Sequence, residues 1–217
     1  MTLDATARQE NVKASLEIYL YAALVTQEGL AVRWEGAGLD TIAAQGIPGI
    51  SAEAADLRRN MSYDGATIRY YALGAAYNDG RWLLQGELGL ADTSADMVSN
   101  GAMAYLSLGR HLGDWTPYAV LSRVESHHAP RGARTDWGTI GQAAFQELAL
   151  GAHNSTRFEQ TGLSLGLRWD PLPQSAVKLQ WDRYFVGSDG YGLWWTSESR
   201  DEQREIDVFT LSTEFIF

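Results

Sequence analysis

The sequence predicts an all-β chain, an antiparallel transmembrane β-barrel of about eight strands, and three observations predict it. Short segments rich in Leu, Val, Gly, Ala and aromatic residues alternate with a period near two, as strands with one apolar and one polar face do. The punctuation between these segments alternates between short and long, the asymmetry of barrels with short periplasmic turns and long extracellular loops. The final run, "EIDVFTLSTEFIF", keeps the strand alternation to its last residue, Phe217, where most domains fray.

Residues 1–13 are set apart as an N-terminal segment, and residues 14–217 form the barrel. The first strand, "ASLEIYLYAALVTQ" over residues 14–27, puts Leu16, Ile18, Leu20 and Leu24 on one face and Glu17, Tyr19 and Tyr21 on the other. A long connection over 28–65 contains "SAEAADLRRN", which reads as a helix capped by Ser51. "ATIRYYALGAAY" and "RWLLQGELGLA" make a hairpin around Asn78, Asp79 and Gly80, residue types that accept tight-turn conformations. After a loop over 92–100, "GAMAYLSLGRHL" and "WTPYAVLSRVES" make a second hairpin around Gly113 and Asp114. Pro117 falls near the start of its strand, where a missing N–H is tolerated.

The loop over 127–155 carries "TDWGTIGQAAFQELAL". Trp137, Ile140, Ala144 and Leu148 share one helical face behind a cap at Thr135 or Asp136, which predicts a helix over 136–150. That helix either folds into the lumen or caps the extracellular mouth. "TRFEQTGLSLGLRWD" and "AVKLQWDRYFV" then pair across "PLPQS", and a polar loop over 187–204 leads to the terminal strand. These strands run to roughly 10–14 residues, slightly more than the roughly 9–11 that a tilted strand needs to cross a bilayer.

Composition narrows the function classes. Lys and Arg number 17 against 27 Asp and Glu, and the net charge of −10 disfavours nucleic-acid partners. The chain has no cysteine, so disulfides and thiolate metal sites are excluded. The longest wholly apolar run, "IYLYAALV", is far shorter than a membrane-spanning helix. "MTLDATARQENVKAS" lacks the basic start, apolar stretch and cleavage site of a secretory signal, so an exported protein would carry its signal outside this chain.

Catalysis finds little support: H-E-x-x-H and G-x-x-x-x-G-K patterns are missing, and the G-x-S-x-G match "GLSLG" at 162–166 lies inside a predicted strand, not at the strand-to-helix elbow that nucleophile serines occupy. Ser126 beside His127 and Glu125 is a poor triad, because adjacent strand residues point to opposite faces. The prediction is a non-enzyme with neither cofactor nor metal. His127, His128 and His153 with Glu125 offer imidazole ligands, but without ligand spacing they fit a solvated loop. "NST" at Asn154 has meaning as a glycosylation site only in a eukaryotic secretory context.

Face chemistry supplies the candidate site. Leu163, Leu165, Leu167 and Trp169 alternate with Ser164 and Arg168, while Val177, Leu179 and Trp181 alternate with Lys178, Gln180 and Asp182. One face suits lipid and the other water. Trp82, Trp115, Trp169, Tyr77 and Tyr118 lie near the short-turn ends, where amphipathic rings form an interfacial girdle. A soluble barrel or sandwich would show the same alternation with its apolar face turned inward. The asymmetry of loop lengths, ring placement and the terminal aromatic favour the membrane. Glu17, Glu87, Arg123, Glu125, Arg168, Lys178, Asp182 and Glu214 are the candidates for the inward, pore-lining face. There, opposed charges would set a transverse field that filters solutes, or would satisfy one another, or would sit at hydrated strand ends.

"TGLSLGLRWDPLPQSAVKLQWDRY", "YYALGAAYNDGRWLLQGELG", "YLSLGRHLGDWTPYAVLSR" and "VFTLSTEFIF" together resemble the C-terminal half of a Gram-negative outer-membrane porin family of the general or anion type. The resemblance runs hairpin by hairpin from about residue 14 onward. It implies a fragment of a barrel of about sixteen strands, located in the bacterial outer membrane and exported with a signal peptide that this chain lacks. It also implies passive diffusion of small hydrophilic solutes or ions, with outer-membrane lipid, the barrel-assembly machinery and possible homo-oligomers as partners. Phe209, Leu211, Phe215 and Phe217 would carry the assembly signal. Two alternatives stay open: a small closed eight-stranded barrel serving as a structural or adhesion module through its loops, and a barrel lipid hydrolase.

Overall fold

The computed structural model describes residues 2–5, 15–26, 37–61, 66–188, 190 and 204–216, with the backbone path alone for 2–5, 15–17, 19–26 and 37. One nine-stranded antiparallel sheet runs in strict sequence order. Its strands are β1 (Thr2–Ala5), β2 (Ser15–Thr26), β3 (Thr67–Asn78), β4 (Trp82–Thr93) and β5 (Gly101–Arg110), followed by β6 (Trp115–Ser126), β7 (Glu159–Leu172), β8 (Ser175–Val186) and β9 (Arg204–Phe215). The helices α1 (Ala37–Ala44), α2 (Ile50–Asn60) and α3 (Ala143–His153) and a 3-10 turn (Trp137–Ile140) lie in the long connections. Among the described residues no ladder joins β9 to β1 or β2. The all-β expectation holds, and β1 is an added strand drawn from the segment set apart as residues 1–13, paired with β2 from Thr2↔Tyr19 to Ala5↔Leu16.

The predicted hairpins form where the turn residues direct them. Asp79 accepts from the backbone N–H of Arg81 at 2.8 Å and of Trp82 at 2.6 Å, and Gly80 takes φ 81°, a conformation that costs glycine nothing. Those backbone bonds, with a smaller contribution from the Tyr77 hydroxyl, hold the Asp79 carboxyl below its ordinary range. Gly113, at φ 64°, does the same service between β5 and β6. The connections between β3 and β4, β5 and β6, and β7 and β8 are tight and lie at one end of the sheet, while those between β2 and β3, β4 and β5, β6 and β7, and β8 and β9 lie at the other.

Two helix expectations are corrected. The helix predicted over 136–150 is broken into the 3-10 turn and α3, because Gly141 adopts φ 72° and its N–H closes back on Gly138. Asp136 does cap the first piece, accepting from the Gly138 N–H at 2.7 Å. Ser51 is not the cap of α2: that position is Gly49, and the Ser51 hydroxyl instead donates to the Ile42 carbonyl at 2.8 Å while accepting from the Ile47 N–H at 3.0 Å. A serine read as a helix start therefore ties α2 to α1.

Among the described residues the hydrophobic core is not in the sheet. Leu39, Ile42, Ile50, Ala54, Leu57, Met97, Trp137 and Ala149 pack together where the long connections meet, forming a cap at that end of the strands. The sheet itself carries its large apolar side chains uncovered on one face.

Candidate functional site

Directly opposed residues of an antiparallel ladder share a face, so the register assigns each candidate. Arg168 opposes Lys178, Ser164 opposes Asp182, Ala176 opposes Glu214 and Gly74 opposes Glu87. Following these pairings across the sheet puts Glu87, Arg168, Lys178, Asp182 and Glu214 on one face. Glu17, opposite Ala76 in the ladder, has its register position on the same face.

Arg123 and Glu125 are the correction. Their partners are Ala104 and Ala102 on β5 and Thr161 and Glu159 on β7, which belong to the row of Leu121, Leu163 and Leu165 on the opposite, apolar face. The strand "WTPYAVLSRVES" mixes apolar residues on both parities, so charge alone suggested the wrong side. Arg123 instead bonds Glu125 at 2.7 Å near the long-connection end. Arg69–Asp92 at 3.0 Å and Arg183–Asp207 at 2.8 Å occupy the same level and face.

The polar face is a chain of short contacts. Near the tight turns Arg168 holds Asp170 at 2.8 Å and Glu214 at 3.1 Å, while Lys178 holds Glu214 at 2.7 Å. Like charges directly opposite each other repel, and Glu214 offsets the pair Arg168 and Lys178. Farther along, the Tyr118 hydroxyl donates to Gln180 at 2.7 Å, and the Gln180 amide donates to Asp182 at 2.7 Å. Asp182 is only 4% exposed. On the other flank the Tyr70 hydroxyl donates to Glu87 at 3.3 Å, and Gln85 donates to the Tyr105 hydroxyl at 3.0 Å.

Glycine spacing shapes this face. The Tyr118 ring lies over Gly166, directly opposite on β7, and the Tyr184 ring lies over Gly162. A Cβ at either glycine would run into the ring, so the tyrosines lie flat along the sheet. Asp170, Tyr118, Tyr70 and Gln85 were missed as site residues, whereas Gln180 falls on the polar face by alternation alone; Tyr118, expected in the girdle, lies on that polar face instead. Asp170 had a readable signal, since "RWD" places Arg168 and Asp170 on one strand face; the others depend on cross-strand register.

The apolar face has three levels. At the tight-turn end Trp115 stacks on Trp169, with centroids 5.4 Å apart and planes 11° from parallel, and the Arg110 guanidinium sits 5.1 Å from the Trp82 ring. Leu88, Leu106, Leu121, Leu165, Leu179 and Leu211 form the exposed middle. The ion pairs of Arg69, Arg123 and Arg183 border the far end. Phe209, Leu211 and Phe215 stand exposed on this face of β9, while Phe217 lies outside the described residues.

The cap is organised by Glu53, which is 3% exposed. Its carboxylate accepts from the backbone N–H groups of Arg134 at 2.8 Å and Thr135 at 3.0 Å, from the Trp137 indole at 3.1 Å and from the Thr135 hydroxyl. Burial by itself raises the carboxyl, but these hydrogen bonds together outweigh it and hold Glu53 below the usual range. Asp56 is also lowered, first by its hydrogen bond from Arg131; Arg59 at 3.2 Å and Arg134 at 3.0 Å share the same carboxylate. His153 is lowered by burial and then by the neighbouring Arg131 cation.

Two cavities matter. A trench of about 750 Å³ lies on the apolar face among Leu73, Leu84, Leu88, Leu106 and Leu121, where small Ala75 and Gly86 leave room. It gathers few polar groups, so it is not a site for a hydrophilic solute. A polar cavity of about 300 Å³ lies in the cap and includes Arg131, Arg134, His153 and Arg157. His128 and His153 both reach it, yet among the described residues no group of three or more His, Cys, Asp or Glu gathers as a metal site. Ser126 accepts from the Phe158 N–H at 2.9 Å, a structural contact. No family model, curated protein or solved structure matches the chain, so these faces and the cap carry the functional reading.

Proposed function

We propose that the sheet is the wall, or part of the wall, of an outer-membrane β-barrel that passes small hydrophilic solutes or ions passively. One observation carries the proposal. Apart from Met103, every strand-borne large hydrophobic side chain left exposed among the described residues lies on a single face. Covering one such side chain is worth roughly 1.5–3 kcal/mol, so a soluble sheet would have a second layer over them. Among the described residues the packed core belongs to the cap, not to such a layer.

The height of the face fits a bilayer. From Trp82 to Asp92 on β4 is roughly 33 Å along the strand, or about 25 Å after a tilt of about 40°, the height of the apolar band of outer-membrane barrels. Lipid hydrocarbon cannot solvate the outer edges of β1 and β9, so in the membrane each edge pairs with a further strand, of this chain, a second copy or a larger barrel. A wide aqueous channel takes about sixteen strands, whereas about eight enclose only side chains. The polar face of Glu87, Arg168, Lys178, Asp182 and Glu214 would then line the water, and the exposed Phe209, Leu211 and Phe215 would serve recognition by the assembly machinery.

Planar-bilayer recording of the refolded full chain tests the channel: stepwise, salt-dependent conductance is expected. Vesicle-inserted protein without conductance would favour the second reading, a structural or adhesion module, for which the separately packed cap of α1, α2 and α3 is the supporting observation.

A further inference from the structure

We infer that the polar cavity of the cap binds a small oxyanionic solute through a phosphate or carboxylate group. The cavity, about 300 Å³, is lined by the β4–β5 connection, the β6–β7 connection and the end of α2, and its size falls at the small end of ligand sites. Among the described residues of its lining, Arg131, Arg134, Arg157 and His128 stand with one acid, Asp96. Asp56, behind the wall, is shared among Arg59, Arg131 and Arg134, so one carboxylate answers three guanidinium groups.

Two buried groups point to a missing partner. His153 is 8% exposed, and by distance and angle neither ring nitrogen meets a hydrogen-bond partner among the described residues. The Nε of Arg131 is also buried without an acceptor, although its terminal nitrogen bonds Asp56. Buried polar groups are nearly always paired, and an oxyanion supplies acceptors to a guanidinium fork in matching geometry.

The walls are fixed before a ligand arrives. Asn154 clamps the Arg131 backbone, accepting from its N–H and donating to its carbonyl, both at 2.9 Å. Asn100 accepts from the Thr93 N–H at 2.6 Å, and the Thr156 hydroxyl accepts from the Ser99 N–H at 3.2 Å. Such preorganisation lowers the ordering cost of binding. The apolar members of the lining, Ala95, Val98 and Ala129, are small and offer no wall for an acyl chain, which favours a free solute over a lipid headgroup. The inference stands on the cap alone and holds for either reading of the sheet.

Titration calorimetry on the full chain refolded in detergent tests it, with inorganic phosphate, glucose 6-phosphate and glucose as probes. Both phosphates are expected to bind and to compete, and glucose to give no heat. Arg134→Gln, at a largely exposed side chain, should weaken binding about tenfold. Asp96→Asn removes the acid of the lining and should tighten it roughly threefold, a gain that damage to the fold cannot produce. Absence of heat with both phosphates overturns the inference, as does binding unchanged by both variants. Binding of phosphatidic acid micelles alone overturns the free-solute assignment.

Discussion

Arg168 of β7 reaches across β8 to Glu214 of β9, 3.1 Å from its carboxylate, while Lys178 on the strand between holds the same carboxylate at 2.7 Å. Two cations directly opposite each other in the ladder are thus kept together by one acid two strands away from Arg168. The cluster is the densest charge on the polar face.

Glu214→Gln leaves Arg168 and Lys178 facing each other uncompensated. In a channel lined by this face, the reversal potential under a salt gradient should shift toward anion preference, and Arg168→Glu combined with Lys178→Glu should shift it the other way. Unchanged selectivity in both variants would remove these residues from the lumen. These side chains are about a third to a half exposed, so the urea midpoint should barely move.

The proposed lipid cover of the apolar face makes a depth-dependent prediction. Leu121→Lys or Leu179→Lys, in the exposed middle, should cost about 2–4 kcal/mol of folding stability in phospholipid vesicles, while Phe185→Lys near the ion-paired border should cost at most about 1 kcal/mol. Denaturant titration in vesicles measures both. Equal, negligible costs would refute the membrane placement.

Glu53→Ala leaves the Arg134 and Thr135 N–H groups without their acceptor and the Trp137 indole with the Thr135 hydroxyl alone. The cap should lose roughly 3 kcal/mol, seen as faster hydrogen exchange across residues 131–153 with little change in the strands. The sign with pH follows from the lowered carboxyls of Glu53 and Asp56. Their stabilisation is complete above the unfolded value, about 4, and is lost as pH falls below it through the folded value.

His153 titrates in a different window. Its folded value is lowered first by burial and then by the Arg131 cation, which together outweigh the opposing effects of Asn154 and Asp96. The unfolded chain therefore takes up the proton first, and cap stability should decline as pH falls below roughly 6.5. His153→Gln should abolish that slope and keep the acid transition of Glu53. Near-UV circular dichroism of the cap in urea, followed against pH, separates the two.

The sequence shows the strands from β2 to β9 and their tight turns because alternation, length and turn chemistry are local. Phe209, Leu211 and Phe215 fall on their apolar face by counting alone, as do Arg168, Lys178 and Asp182 on the polar face. Arg123 and Glu125 do not, because their strand carries apolar residues on both parities and only pairing with Ala104 and Thr161 reveals the side.

By itself, then, the sequence determined an antiparallel meander with one apolar and one polar face and with its long connections at one end. The tertiary structure decided where the buried core lies and which charges meet. Glu53 finds Arg134, Thr135 and Trp137 more than 80 positions away, and Glu214 finds Arg168 across an intervening strand. Periodicity reports which face a residue occupies, because the backbone repeats; it carries no information on contacts closed by long connections, whose partners are set by packing.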